Sequence, residues 1–133
     1  MPRLGIVGSR DYPDLEAVRA FVRALPRTTV VVSGGARGVD TVAAETARAC
    51  GLFVDEFLVS PEAWKRLGPR AGLERNERLV GSCERVVAFW DGTSRGTAHA
   101  IGVARRLGKP LEVRTAQRIG PGKILATVTR ERW

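Results

Sequence analysis

One histidine, two cysteines and 6% aromatic residues are all that 133 positions offer, and each shortage removes a class of function. With Cys50 and Cys83 far apart, no CxxC pair and His99 as the sole imidazole, no zinc-ligand set and no metal site is expected. A second histidine and an obvious nucleophile are missing too, which argues against a serine-protease-like triad. Both cysteines stand near the ends of expected helices and read as free interior thiols. No apolar run approaches the roughly 20 residues of a membrane helix. The opening MPRLGIVGSR passes straight into a strand-like segment and not a signal-peptide pattern, so a cytoplasmic protein without a membrane partner is expected. Acidic residues are scarce as well: 14 Asp and Glu face 22 Lys and Arg, a formal charge of +8. Most of the basic residues are arginine, whose planar fork suits phosphate oxygens, so phosphorylated metabolites or polyanions are favoured partners. A GC-rich genome produces the same arginine excess, so position has to decide.

What is present is a regular alternation of short apolar runs and amphipathic segments. Leu4–Val7 is strand-like and ends at Gly8; Leu15, Val18, Val22 and Leu25 then share a helical face between an Asp14 N-cap and Pro26. Thr28–Ser33 is a β-branched run suited to a strand buried on both faces. An alanine-rich helix from about Val39 to Cys50 is closed by Gly51. Leu52–Val59 predicts a third strand, and Ser60, Pro61 and Glu62 open a short helix. The charged stretch Lys65–Arg78 is the least regular part, with a helix resuming around Glu74 and Trp64 packing the connection against the sheet. Arg85–Trp90 supplies a fourth strand, Ala100, Ile101, Ala104 and Leu107 a helical face, and Leu111–Val113 a fifth strand after Gly108 and Pro110. The basic tail from Arg114 holds a GPG turn at Gly120–Gly122 and the strand-like ILATVT. This pattern predicts an α/β protein: a mainly parallel sheet of about five strands covered on both faces, with a possible extra C-terminal strand. Residues 1–113 form the domain and 114–133 a basic extension packed on it.

In an open α/β sheet, ligands bind beyond the carboxyl ends of the strands, where strand order reverses. Three loops fall at that edge: GSRDY, SGGARGVD and WDGTSRGT, each with glycine, a hydroxyl residue and one arginine. In the strand order 3-2-1-4-5 all three border one crevice. Gly8, Gly34, Gly35, Gly38 and Gly96 then allow close backbone approach to an anion beside helix N-termini. Ser9, Ser33, Thr93, Ser94 and Thr97 offer hydroxyls, and Arg10, Arg37 and Arg95 offer paired contacts to phosphate. Asp40 would repel phosphate, so it either accepts from a ribose hydroxyl or base edge, or stabilises its own helix start. Arg75 and Asn76 are further ligand candidates. Trp90 and Tyr12 offer stacking surfaces for a base, with Trp90 equally suited to the core, and His99 is expected either to touch a ligand or to hydrogen-bond locally.

The ordered set GSRDY, SGGARGVD, AGLERNERLV and FWDGTSRGTAHAI, closed by GKP, resembles the YspA-related branch of the SLOG superfamily of Rossmann-like nucleotide-binding domains. Its relatives include the DNA-processing protein DprA, with a similar SGxARGID loop, and the LOG phosphoribohydrolases. The resemblance spans roughly Leu4–Val113. It implies a three-layer Rossmann-like α/β/α fold with Gly34, Gly35, Arg37, Gly38 and Asp40 lining the crevice between Gly8, Ser9, Arg10 and Ser94, Gly96, Thr97. Arg75 and Asn76 lie nearby, and a homo-oligomer is implied.

The LOG enzymes carry a GTxxE motif whose glutamate is implicated in catalysis; GTAHA here puts Ala100 at that place. Cleavage of an N-glycosidic bond passes through an oxocarbenium-like state that a carboxylate stabilises. A catalytic version would have to draw on Asp40, Glu74, Asp91 or Arg75. The leading expectation is therefore a small-molecule nucleotide-derived ligand, sensed or hydrolysed, with no other cofactor. The alternative is a DprA-like nucleic-acid binder, suggested by the charge, the basic tail and the loop. The scarcity of aromatics for stacking weighs against it.

Overall fold

The structure, a computed structural model, describes residues 1–133. Its elements alternate as expected: β1 (Arg3–Gly8), α1 (Leu15–Arg23), β2 (Val30–Ser33), α2 (Val39–Ala49), β3 (Phe53–Glu56), α3 (Pro61–Leu67), α4 (Arg70–Gly81), β4 (Arg85–Trp90), α5 (Arg95–Arg106), β5 (Leu111–Gly120) and β6 (Lys123–Glu131). The sheet order is β3-β2-β1-β4-β5-β6, parallel through β5 and antiparallel between β5 and β6. The chain thus builds outward from β1 to β3, then returns to the other side of β1, and the strand order reverses between β1 and β4. No helix is long and apolar enough to cross a membrane.

Strand alternation divides the interior in two. Leu4, Ile6 and Val31 point to the side of α1 and α2, where Val18, Val22, Val39, Ala43 and Ala47 meet them. Val7, Val32, Val86 and Ala88 point the other way, against Leu79 and Val80 of α4 and Ile101 and Ala104 of α5. The alanines of α2 let that helix lie close to the sheet. Gly8 lets Val39 come closer still, for a Cβ there would stand 2.5 Å from the Val39 Cβ. Local signals set the ends: Asp14 caps α1 by accepting from the Ala17 amide at 3.1 Å, and Ser60 caps α3 through Ala63 at 3.1 Å. Both cysteines are free, with Cys83 buried and Cys50 partly so.

Three expectations are corrected. The charged stretch after Lys65 is regular: α3 ends at Gly68, whose φ is +61°, and α4 starts at Arg70, well before Glu74. Ala71, Asn76, Leu79 and Val80 form its buried face; the run of charges belongs to the opposite, solvated side and hides the period. Trp64 does not pack against the sheet but is 47% exposed on α3. Strand β5 is ten residues long and does not stop at Val113, because it continues as a two-stranded ribbon with β6. The expected strand ILATVT is its second arm; residues Gln117–Ile119 of the first arm are exposed, so apolar patterning does not reveal how far β5 extends. It is tied down at Glu112, 1% exposed, which accepts from Arg114 Nε at 2.6 Å and from Arg130 Nε of β6 at 2.7 Å. Burial pushes this carboxyl upward, but the two guanidinium bonds outweigh burial and hold it below the usual carboxylate range.

Candidate functional site

The loops after β1, β2 and β4 meet at one edge of the sheet and enclose a recess of about 230 Å³. Its wall includes Gly8, Arg10, Arg37, Asp40, Arg75, Asn76, Ser94, Gly96 and Thr97. Nine sequence candidates therefore converge on one small space.

The floor is a hydroxyl network. Ser9 and Thr97, both buried, approach each other at 3.4 Å, and Ser94 Oγ reaches Thr97 Oγ1 at 3.2 Å. The Asp91 amide donates to Ser9 Oγ at 3.1 Å, which joins the β1 loop to the β4 loop. Asp91 Oδ1 accepts from the Thr93 and Ser94 amides at 2.9 and 2.8 Å, shaping the turn before α5. Burial pushes the Asp91 carboxyl upward, yet those amides together with the Ser9 and Thr93 hydroxyls outweigh it and leave the group below its ordinary pKa. Gly38 and Ser94 start α2 and α5 without a side-chain cap bond, so neither helix N-terminus is closed by its own cap. Gly38 holds φ +82°, and a Cβ there would meet the Arg10 carbonyl; only glycine lets the β1 and β2 loops touch.

Asp40 is the buried charge of the site. It is 5% exposed in the first turn of α2, with Oδ2 accepting from the Ala36 amide at 3.3 Å and Oδ1 unpartnered. Burial raises its pKa from 3.8 to about 7; the Ala36 amide, the Arg75 charge and the amides of Gly8 and Gly34 hold it from rising further. Asp40 also uses its backbone: Ser33 Oγ donates to its carbonyl at 3.1 Å. Of its two expected roles, the structure shows the local one, stabilising the turn that opens α2.

Arg75 and Asn76 mainly build the site. Arg75 reaches across from α4 to the Gly34 carbonyl and bonds Asn76 Oδ1 at 3.1 Å. Asn76, buried, donates to the Gly96 carbonyl at 3.2 Å and meets His99 Nδ1 at 3.2 Å. His99 is therefore a local partner. The solvent side carries the cationic surface: Arg10, Arg37 and Arg95 are exposed. Gly96 is exposed too, with nothing within 4 Å of where its Cβ would stand.

Other candidates are placed elsewhere. Glu74 is exposed on α4 outside the recess, and Thr93 is exposed in the turn. Trp90 is half-buried and donates Nε1–H to the Ser94 carbonyl at 3.0 Å, so it braces the loop. Tyr12 is 6% exposed and packs edge-on against Phe89, with no face free for a base. Ser33, Gly34 and Gly35 form the β2 turn behind the recess. Val7, Ala36 and Leu79, not anticipated, also line the wall; none of these residue types announces such a role in a sequence. Ala100, where a glutamate would stand in the hydrolases, is a 1% exposed wall residue.

Fold and site define a Rossmann-like domain in which three glycine-and-arginine loops meet at the topological switch point. Residues 1–54, which carry the first two loops, match the family model described as DNA recombination-mediator protein A. The chain is 35% identical over 120 residues to the Gene 61 protein of Mycobacterium phage D29, covering 84% of this chain and 94% of that one. It belongs to the family of that phage protein. In fold it is similar to DNA processing protein A (DprA) from Streptococcus pneumoniae, with TM-score 0.72, 24% identity and 84% of this chain covered. It is also similar to DNA processing protein A from Helicobacter pylori, a structure described for its single-stranded DNA binding mode, with TM-score 0.66, 22% identity and 83% of this chain covered. The chain spans 49% and 63% of those two proteins.

These findings overturn the leading expectation of a small nucleotide-derived ligand that is sensed or hydrolysed. The family model matched over residues 1–54 and both structural neighbours are named for DNA recombination or processing, which agrees with the alternative reading of a nucleic-acid binder. The only carboxylate in the wall of the recess is Asp40.

Proposed function

We propose that this chain binds single-stranded DNA through its phosphate backbone, with one or more phosphates seated in the cradle formed by the three loops. Of all the observations, the convergence of three glycine loops at one sheet edge, open to solvent beside Arg10, Arg37 and Arg95, supports this most strongly. Gly96 and the start of α5 offer backbone approach, the arginines offer forked contacts, and the net charge of +8 favours a polyanion. On its four ordered motifs we place the chain in the YspA-related branch of the SLOG superfamily, acting in the cytoplasm. Arg10, Arg37, Gly96 and Thr97 are the contacting residues in this reading; Arg75, Asn76 and Asp40 hold the cradle in shape.

Anisotropy titration of a fluorescent oligo(dT) against a duplex of equal length tests the proposal. Single-strand affinity falls with a log–log salt slope of about −0.7 per phosphate engaged, so three phosphates give about an eighteenfold loss from 50 to 200 mM salt. The duplex binds more weakly. No binding of oligo(dT) at 50 mM salt, or binding indifferent to salt, would sink the proposal.

A further inference from the structure

Beside the cradle, α3 and α4 meet the start of α5 around a second, open groove of about 500 Å³, lined in part by Trp64, Gly72, Leu73 and Arg95. The groove shares Arg75, Asn76 and Gly96 with the phosphate recess, so the two form one continuous surface. Trp64 is 47% exposed and Leu73 40% exposed, and neither belongs to either core cluster. The edge of the Trp64 ring lies over Gly72, where a Cβ would stand 3.1 Å from the ring carbon Cη2. An exposed indole on a short helix adds nothing to the core, and it sits one step from a cationic cradle.

We propose that this groove is a nucleobase subsite, in which an unpaired base stacks on Trp64 while its phosphate occupies the cradle. The inference rests on the single-stranded DNA reading and deepens it. The groove's surface is mostly apolar apart from Arg95, Arg75 and Asn76 at its cradle end, which matches the chemistry of a base joined to a phosphate. Stacking is tolerant of base identity, because every base has a π-face, and it requires the base to be free of its partner strand. The subsite therefore supplies selectivity for single strands that phosphate contacts alone cannot provide. It also removes the objection raised by the low aromatic content, since one well-placed ring suffices for one base.

The test compares wild-type protein, Trp64→Ala and Trp64→Phe for binding to oligo(dT) and to an abasic oligonucleotide of the same length and phosphate count. Loss of one stacking partner lowers oligo(dT) affinity by about 5- to 150-fold for Trp64→Ala. Trp64→Phe stays within about threefold of wild type, and abasic binding is the same for all three proteins. The subsite is overturned if Trp64→Ala binds oligo(dT) within about twofold of wild type, or if it loses equal affinity for both oligonucleotides. A wild-type protein that binds neither overturns the DNA reading and the subsite together, and that failure is visible before any variant is compared.

Discussion

Asp40→Asn stabilises this protein at pH 8. Asp40 is 5% exposed, one of its oxygens has no partner, and its pKa stands near 7 against an ordinary 3.8. Between those two values the folded chain holds a proton that the unfolded chain has released. Stability therefore falls as pH rises from about 4 to about 7, and the deficit persists at higher pH. The difference between 3.8 and about 7 sets an upper bound of about 4 kcal/mol. Asparagine keeps an acceptor for the Ala36 amide and carries no charge to desolvate. The expected gain at pH 8 is on the order of 2–4 kcal/mol, roughly 6–15 °C in midpoint for a chain of this size. Below pH 4 it disappears. Thermal scans of both proteins from pH 4 to pH 8 decide the matter, and parallel midpoints across that range would refute the buried proton. Function follows the same sign: a phosphate in the recess favours the protonated carboxyl, so DNA affinity rises as pH falls through 7. Asp40→Asn loses that response while retaining His99, so the lost pH dependence belongs to Asp40.

Gly96→Glu separates binding from folding. The residue sits in the first turn of α5 with ordinary helical φ, and an added Cβ meets nothing within 4 Å. Glutamate is a better helix former than glycine by up to about 1 kcal/mol and suits a helix N-terminus. Stability is therefore unchanged or slightly higher. The new carboxylate occupies the mouth of the cradle, where a phosphate about 4 Å away is repelled by up to about 4 kcal/mol at the dielectric of a protein surface. Oligo(dT) affinity is expected to fall on the order of 100-fold. A Gly96→Glu protein that binds DNA as tightly as wild type would move the site elsewhere on the molecule.

The edge of the sheet was legible because its signals are local and stereochemical. Glycines at 34, 35 and 38 after a β-branched run announce a strand emptying into a turn, and the order 3-2-1-4-5, on which the convergence of three such loops depends, is the one the parallel strands adopt. Arg75 and Asn76 were recognised as belonging to the site, but their bonds to Gly34, Gly96 and His99 depend on how α4 lies against α5, which no spacing in the chain encodes. Trp64 and Tyr12 were misjudged for one reason. Residue type gives a large aromatic no direction, and here Tyr12 fills the core while Trp64 faces solvent. The turn at Gly120–Gly122 and the strand ILATVT are legible, but the extension of β5 past Val113 is not, because its stability comes from cross-strand pairing and the Glu112 ion pairs.

The central claim, that the three-loop cradle is where DNA binds, is tested most directly by amide chemical-shift mapping of the labelled protein during titration with unlabelled oligo(dT). The account predicts concerted shifts at Gly8 to Arg10, Gly34 to Gly38, Gly96 and Thr97, together with the Trp64 indole. Shifts confined to the exposed basic hairpin around Arg118 and Lys123, with those loop amides unmoved, would contradict it.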